Sequence, residues 1–128
     1  MVSKKRQFGD IGEGLARDYL TTKGYKVIES NYWKPWGEID LVTRKGDRIV
    51  FFEVKTRDAR NISAFSPEQS VNHSKRMKLQ RTCETYLAER NCPQDQEWQI
   101  DVLALSIVRE SEMFHVEHFE NVVWENRY

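Results

Sequence analysis

Asp40, Glu53 and Lys55 are the residues of this 128-residue chain whose types and spacing support chemistry. They flank Gly46-Asp47, a two-residue turn between two β-rich runs, Glu38 to Arg44 and Arg48 to Thr56. Glycine tolerates the positive φ required at the first central position of a type II′ turn. If Lys45 pairs with Arg48, Asp40 falls opposite Glu53 and Glu38 opposite Lys55. Opposed side chains of a ladder have Cβ atoms roughly 4.5–5.5 Å apart, so two carboxylates there can share one divalent cation. Oxygen ligands suit Mg²⁺ or Mn²⁺; Mg²⁺ commonly takes one or two carboxylates and completes its shell with water and substrate phosphate. Lys55, on the same face as Glu53, is placed to hold or help deprotonate an attacking water and to stabilise charge building on the phosphate. The competing reading is a solvated face carrying cross-strand salt bridges. It does not explain two like charges set directly opposite one another, which a plain hairpin disfavours. Glu38 has two readings: a support that steers Lys55 or reaches metal through water, or a simple salt bridge to Lys55.

The elements that must position these residues are legible from periodicity. Phe8, Ile11, Leu15 and Tyr19 follow helical spacing beside Gly12, Ala16 and Leu20, and Gly24 supplies a stop, which predicts a helix over about 7–23. At 100° per residue Glu13 lies at the border of that apolar stripe and can look along the core surface. Tyr25 to Ser30 reads as a first strand, after which Pro35 and Gly37 interrupt an aromatic segment, Tyr32-Trp33-Lys34-Pro35-Trp36. In the hairpin Ile39, Leu41, Val50, Phe52 and Val54 form the apolar face that packs on a helix. Ser66-Pro67-Glu68-Gln69 resembles a helix start, and a firmer helical pattern runs from about His73 to Arg90. There Leu79, Cys83, Tyr86 and Leu87 make the buried stripe, with Lys75 and Lys78 exposed. Trp98 to Val108 and Met113 to Phe119 read as strands. The order α-β-β-β-α-β-β predicts one domain over 1–128, an α/β sandwich with a central mixed sheet flanked by helices.

Composition narrows the classes. Apolar residues make up 39% of the chain and the longest apolar run is Ile49-Val50-Phe51-Phe52, too short for a membrane span. Lys4-Lys5-Arg6 is followed by Gln7-Phe8-Gly9-Asp10 rather than by the apolar stretch of a signal peptide. Cys83 and Cys92 have no zinc-ligand spacing, and a chain of this size needs no disulfide. A cytoplasmic location is the expectation. Lys plus Arg and Asp plus Glu both count 20, so the chain lacks the basicity of many nucleic-acid binders. That objection weakens if a cation neutralises some of the carboxylates.

Gly37-Glu38-Ile39-Asp40-Leu41-Val42 and Phe52-Glu53-Val54-Lys55-Thr56-Arg57 resemble the signature of the YraN-like family of bacterial endonucleases. The resemblance extends to Gly9-Asp10-Ile11-Gly12-Glu13, to Asn31-Tyr32-Trp33, and to Ser70-Val71 followed by Lys75-Arg76, so that most of the chain is covered. That family is similar to archaeal Holliday-junction resolvases and to the wider PD-(D/E)XK group. The resemblance implies a restriction-endonuclease-like fold, with Asp40 as central metal ligand, Glu53 as second ligand, Lys55 as the motif lysine and Glu13 as a helix carboxylate completing the Mg²⁺ or Mn²⁺ site. Ile39 stands where the group's proline would be, which removes no ligand.

Arg57, Arg60, Lys75 and Arg76 are candidate phosphate contacts, with a solvated surface as the alternative for each. Lys78 and Arg81 are further cations of the same helix. Trp33 and Trp36 suit either base stacking or packing. His115 and His118, three apart on a strand, point to opposite faces and are set aside as a metal pair. Asp101 reads as structural, with contact to the site as the alternative. The expected function is Mg²⁺-dependent hydrolysis of DNA phosphodiester bonds, in double-stranded, branched or damaged DNA, with a homodimer as the assembly to test. The alternative is a non-catalytic nucleic-acid-binding or adaptor protein with the same fold. A glycosidase carboxylate pair ranks behind both, because it gives Lys55 no task.

Overall fold

A computed structural model describes residues 4–60, 73–108, 111 and 113–122. Helix α1 spans Lys4–Thr22, and three strands follow, β1 Lys26–Lys34, β2 Gly37–Lys45 and β3 Arg48–Asp58. Helix α2 spans His73–Glu89, with β4 Trp98–Val108 and β5 Met113–Phe119 after it. The helix start expected at Ser66 lies outside the described residues. Both helices stop by the same device. The Tyr25 amide donates to the Leu20 carbonyl and that of Gly24 to Thr21; the Cys92 amide donates to Leu87 and that of Asn91 to Ala88. These are Schellman closures, with Gly24 (φ 91°) and Asn91 (φ 53°) in the left-handed conformation.

The five strands lie in the order β1-β2-β3-β4-β5. β3 and β4 are parallel, and the other neighbours are antiparallel. This mixed sheet with its two helices is the α/β order expected, in keeping with the restriction-endonuclease-like arrangement. Helix α1 covers one face, where Ala16, Leu20, Tyr25, Leu41, Val50, Phe52, Leu103 and Leu105 form a core. Helix α2 covers the other through Leu79, Cys83 and Tyr86 on Tyr32, Ile39, Val42, Ile49, Phe51, Ile100 and Val102. A sheet covered on both faces explains why β4 is buried without interruption from Gln99 to Leu105. No helix among the described residues is long and apolar enough to cross a membrane.

Turn chemistry sets the register expected for β2 and β3. Gly46 has φ 60°, and Lys45↔Arg48 through Leu41↔Phe52 pair in sequence. There the ladder stops. β2 continues with β1 to Lys34↔Gly37, while β3 continues with β4 to Asp58↔Ile107. The first strand is thus longer than the expected 25–30, because Tyr32 and Trp33 pair with Ile39 and Glu38. The apolar face is also not wholly as expected: Ile39 joins the α2 core, although Leu41 two residues on faces α1. The alternation breaks at the rung between Ser30↔Leu41 and Tyr32↔Ile39, where Asn31 takes φ 52° opposite Asp40. On α2, Leu87 is only partly buried, and Lys75 is half-buried rather than exposed.

Candidate functional site

Asp40 sits one place beyond the last β2–β3 pair, where backbone pairing no longer satisfies β3. Its Oδ2 accepts the Val54 amide at 2.7 Å, so a side chain takes the place of a ladder carbonyl. Burial raises its pKa to about 6; the Val54 hydrogen bond and Lys55 work against that rise, and the charges of Glu53 and Glu38 add to it. Glu53 follows Phe51 by two and so shares the α2 face. Its side chain is 12% exposed. Its Oε1 accepts Lys55 Nζ at 2.9 Å and Lys75 Nζ at 2.5 Å, whereas Oε2 is buried with no hydrogen-bond partner among the described residues. Burial lowers the pKa of Lys75. For Lys55 burial acts the same way but is outweighed by its hydrogen bond to Glu53 and by the charges of Glu53 and Asp40, so its pKa rises.

Glu13 arrives from α1, which lies against β3 so closely that a Cβ at Gly12 would stand 2.0 Å from Thr56 Oγ1. The Glu13 carboxylate accepts Asn31 Nδ2 at 3.1 and 3.3 Å, on the rung that holds Asp40. It is bound to Asn31 and not to Asp40 or Glu53. Sequence reasoning gives Asn31 no role of its own; the signal available is an asparagine, one of the few residues that readily adopts a left-handed φ, directly after the strand expected over Tyr25 to Ser30. Glu38 is exposed and pairs with Trp33 across β1 and β2. Lys55 bonds Glu53 rather than Glu38, because the ladder that would oppose Glu38 and Lys55 ends at Leu41.

The candidate phosphate contacts divide by location. Arg57 is half-buried and donates Nε to Ser106 Oγ at 3.0 Å, while exposed Arg60 forks onto the Asp58 carboxylate at 2.9 and 3.2 Å. Lys75 is committed to Glu53, and Arg76 beside it is half-buried. Trp33 is 65% exposed, and the Arg81 guanidinium lies 4.0 Å from the centre of the Trp36 ring.

Asp40 and Glu53 fit an oxygen-seeking divalent cation. Both carboxylates are taken from water, and Glu53 Oε2 has lost hydration without gaining a partner, a cost that a cation would offset. Among the described residues the three carboxylates Asp40, Glu53 and Glu13 do not form a closed group. Asp101, His118 and Glu120 do, with ligand atoms within 4.8 Å of one another, and this set can hold a metal ion. Spacing along β5 does not reveal this set, because it relates His118 only to His115. The partner comes instead from β4, which lies beside β5. Asp101 is fully buried; its Oδ1 accepts Gln99 Nε2 and the Asn121 amide, each at 2.9 Å, and its Oδ2 meets His118 Nε2 at 2.7 Å. His118 packs against Phe52 and Tyr25, with ring centres 5.3 and 6.1 Å away.

Residues 12–105 match the family described as "Uncharacterised protein family UPF0102". A "UPF0102 protein" of Moorella thermoacetica is 37% identical over 117 residues, 91% of this chain and 95% of the relative. One of Alkaliphilus oremlandii is 36% identical over 119 residues, 91% and 97% of the two chains. A third, of Roseiflexus castenholzii, is 32% identical over 125 residues, 98% and 99%.

Proposed function

The chain belongs to the UPF0102 family, and we propose that it is a divalent-metal-dependent endonuclease hydrolysing DNA phosphodiester bonds. The observation that carries this reading is the pair Asp40 and Glu53, two desolvated carboxylates where the β2–β3 ladder ends, one with an orphaned oxygen and with Lys55 2.9 Å from the other oxygen. Asp40 and Glu53 would hold Mg²⁺ or Mn²⁺, which supplies Lewis-acid polarisation of the phosphate and activation of water. Lys55 orients the attacking water and counters the charge that develops on the phosphate oxygens. Glu13 acts through Asn31, holding the rung on which Asp40 turns toward β3. Glu38 adds negative potential from the exposed side. Arg57, Arg60, Lys75 and Arg76 receive backbone phosphates, contacts that confer affinity without sequence preference.

Linear, nicked, flapped and four-way DNA, each with Mg²⁺, Mn²⁺ or a chelator, test the reading against Asp40→Ala and Lys55→Ala. Wild type should cut in metal alone. Asp40→Ala should lose metal at this site and cutting together, whereas Lys55→Ala should keep metal and lose most of the chemical step. Equal cutting by Asp40→Ala refutes the site. A second reading, a DNA-binding protein without turnover, is favoured by one observation, the engagement of Glu13 by Asn31. Salt-dependent DNA binding with no cutting of any substrate in either metal would establish it.

A further inference from the structure

We propose that Lys75 competes with the divalent cation for Glu53, so that metal binding is conditional on an incoming phosphodiester. The inference rests on the metal-site reading above and assigns Lys75 a task beyond phosphate contact. Two ammoniums converge on one carboxylate oxygen: Lys55 Nζ lies 2.9 Å and Lys75 Nζ 2.5 Å from Glu53 Oε1. They come from different elements. Lys55 is on β3, two residues from Glu53, while Lys75 reaches over from the first turn of α2. Lys75 is also the outer of the two, its side chain 34% exposed against 27% for Lys55. It is therefore the one that can leave Glu53 for a ligand arriving from solvent, on a stem of four flexible carbons.

Charge dictates when it leaves. Among the described residues Asp40, Glu53 and Glu38 stand against Lys55 and Lys75, three carboxylates against two ammoniums. A divalent cation added to this set leaves an excess of one positive charge, and like charges at such range repel. A phosphodiester carries one negative charge and removes the excess. If Lys75 transfers from Glu53 to that phosphate, cation and substrate arrive together and each strengthens the binding of the other, as linkage requires. A lysine that served only as a surface phosphate contact would have no effect on the metal in the absence of DNA.

The test measures Mn²⁺ binding, from the loss of the free-ion spin-resonance signal, for wild type, Lys75→Gln, Lys75→Met, Lys75→Arg and Asp40→Ala. Each is titrated alone and with a short phosphorothioate duplex, and thermal melts check that every variant is folded. Without DNA, Lys75→Gln and Lys75→Met should bind Mn²⁺ on the order of tenfold more tightly than wild type, the scale set by removing one charge about 5 Å from a divalent ion in a high-dielectric setting. Lys75→Arg should behave as wild type. The duplex should tighten Mn²⁺ binding by wild type and have a much smaller effect on the two neutral variants. Equal or weaker Mn²⁺ binding by both neutral variants overturns the proposal while leaving the metal site intact. Absence of Mn²⁺ binding by every variant, with and without DNA, overturns the metal site itself and the proposal with it.

Discussion

Replacing Asp40 by Asn should make this protein more stable while weakening metal binding at the Asp40–Glu53 site. Burial shifts the Asp40 carboxyl from 3.8 to about 6, so the fold opposes its charge. The difference is about two pKa units, worth about 3 kcal/mol at 1.36 kcal/mol per unit. Asparagine carries no charge to desolvate, and its Oδ1 can still accept the Val54 amide. The sign of the pH dependence follows from linkage. The unfolded carboxyl ionises near 3.8 and the folded one near 6, so wild-type stability falls as pH rises between these values and the loss is complete above them. Asp40→Asn should therefore gain about 2–3 kcal/mol over wild type at pH 7.5 and almost nothing at pH 4, read from urea unfolding midpoints and slopes across that range. Added Mn²⁺ should stabilise wild type more than the variant, because a ligand that binds the folded state raises its stability in proportion to its affinity. A variant no more stable than wild type at pH 7.5, or a gain unchanged at pH 4, would refute the claim that Asp40 is held at a desolvation cost.

Two further expectations concern packing. Gly12→Ala places a methyl 2.0 Å from Thr56 Oγ1 and within 2.9 Å of its Cβ and Cγ2, and should cost about 1–3 kcal/mol in chemical denaturation; Thr56→Ala in the same chain should recover part of that loss. Asp101→Ala strands Gln99 Nε2, the Asn121 amide and His118 Nε2 in a buried setting and should lower stability by about 2–4 kcal/mol, whereas Asp101→Asn, which keeps two acceptor lone pairs, should lose less in the same assay.

Local chemistry was enough to anticipate much of this molecule. Gly46 names the turn, the turn names the pairing from Lys45↔Arg48 inward, and alternation then places Glu53 and Lys55 on one face. Gly24 announces the end of α1. What the sequence could not disclose depends on contacts between distant partners. β2 and β3 stop pairing after Leu41↔Phe52, where the Asp40 side chain takes the Val54 amide, while β1 stays with β2 and β4 with β3 along their outer edges. For the same reason the Glu38–Lys55 opposition was misplaced, and Ile39 was put on the wrong face. Lys75 looked like one cation of a solvated helix. Its role depends on which turn of α2 passes over Glu53, which periodicity within the helix cannot say. Asp101 and His118 meet across the β4–β5 pairing, where spacing along one strand carries no information.

The narrow ladder between β2 and β3 also bears on how this site can drift over generations. Twelve residues, Leu41 to Phe52, separate Asp40 from Glu53, folded about Gly46 so that the two carboxylates flank the end of the ladder. Within that stretch many side chains can be exchanged for others of similar bulk, but the number of residues cannot vary freely. One insertion or deletion throws the pairing out by a place, and a one-place slip sends one carboxylate to the opposite face of the sheet. Length, more than identity, is what this hairpin must keep: its surface can be repainted, but a single-residue change in its length turns the two carboxylates away from each other.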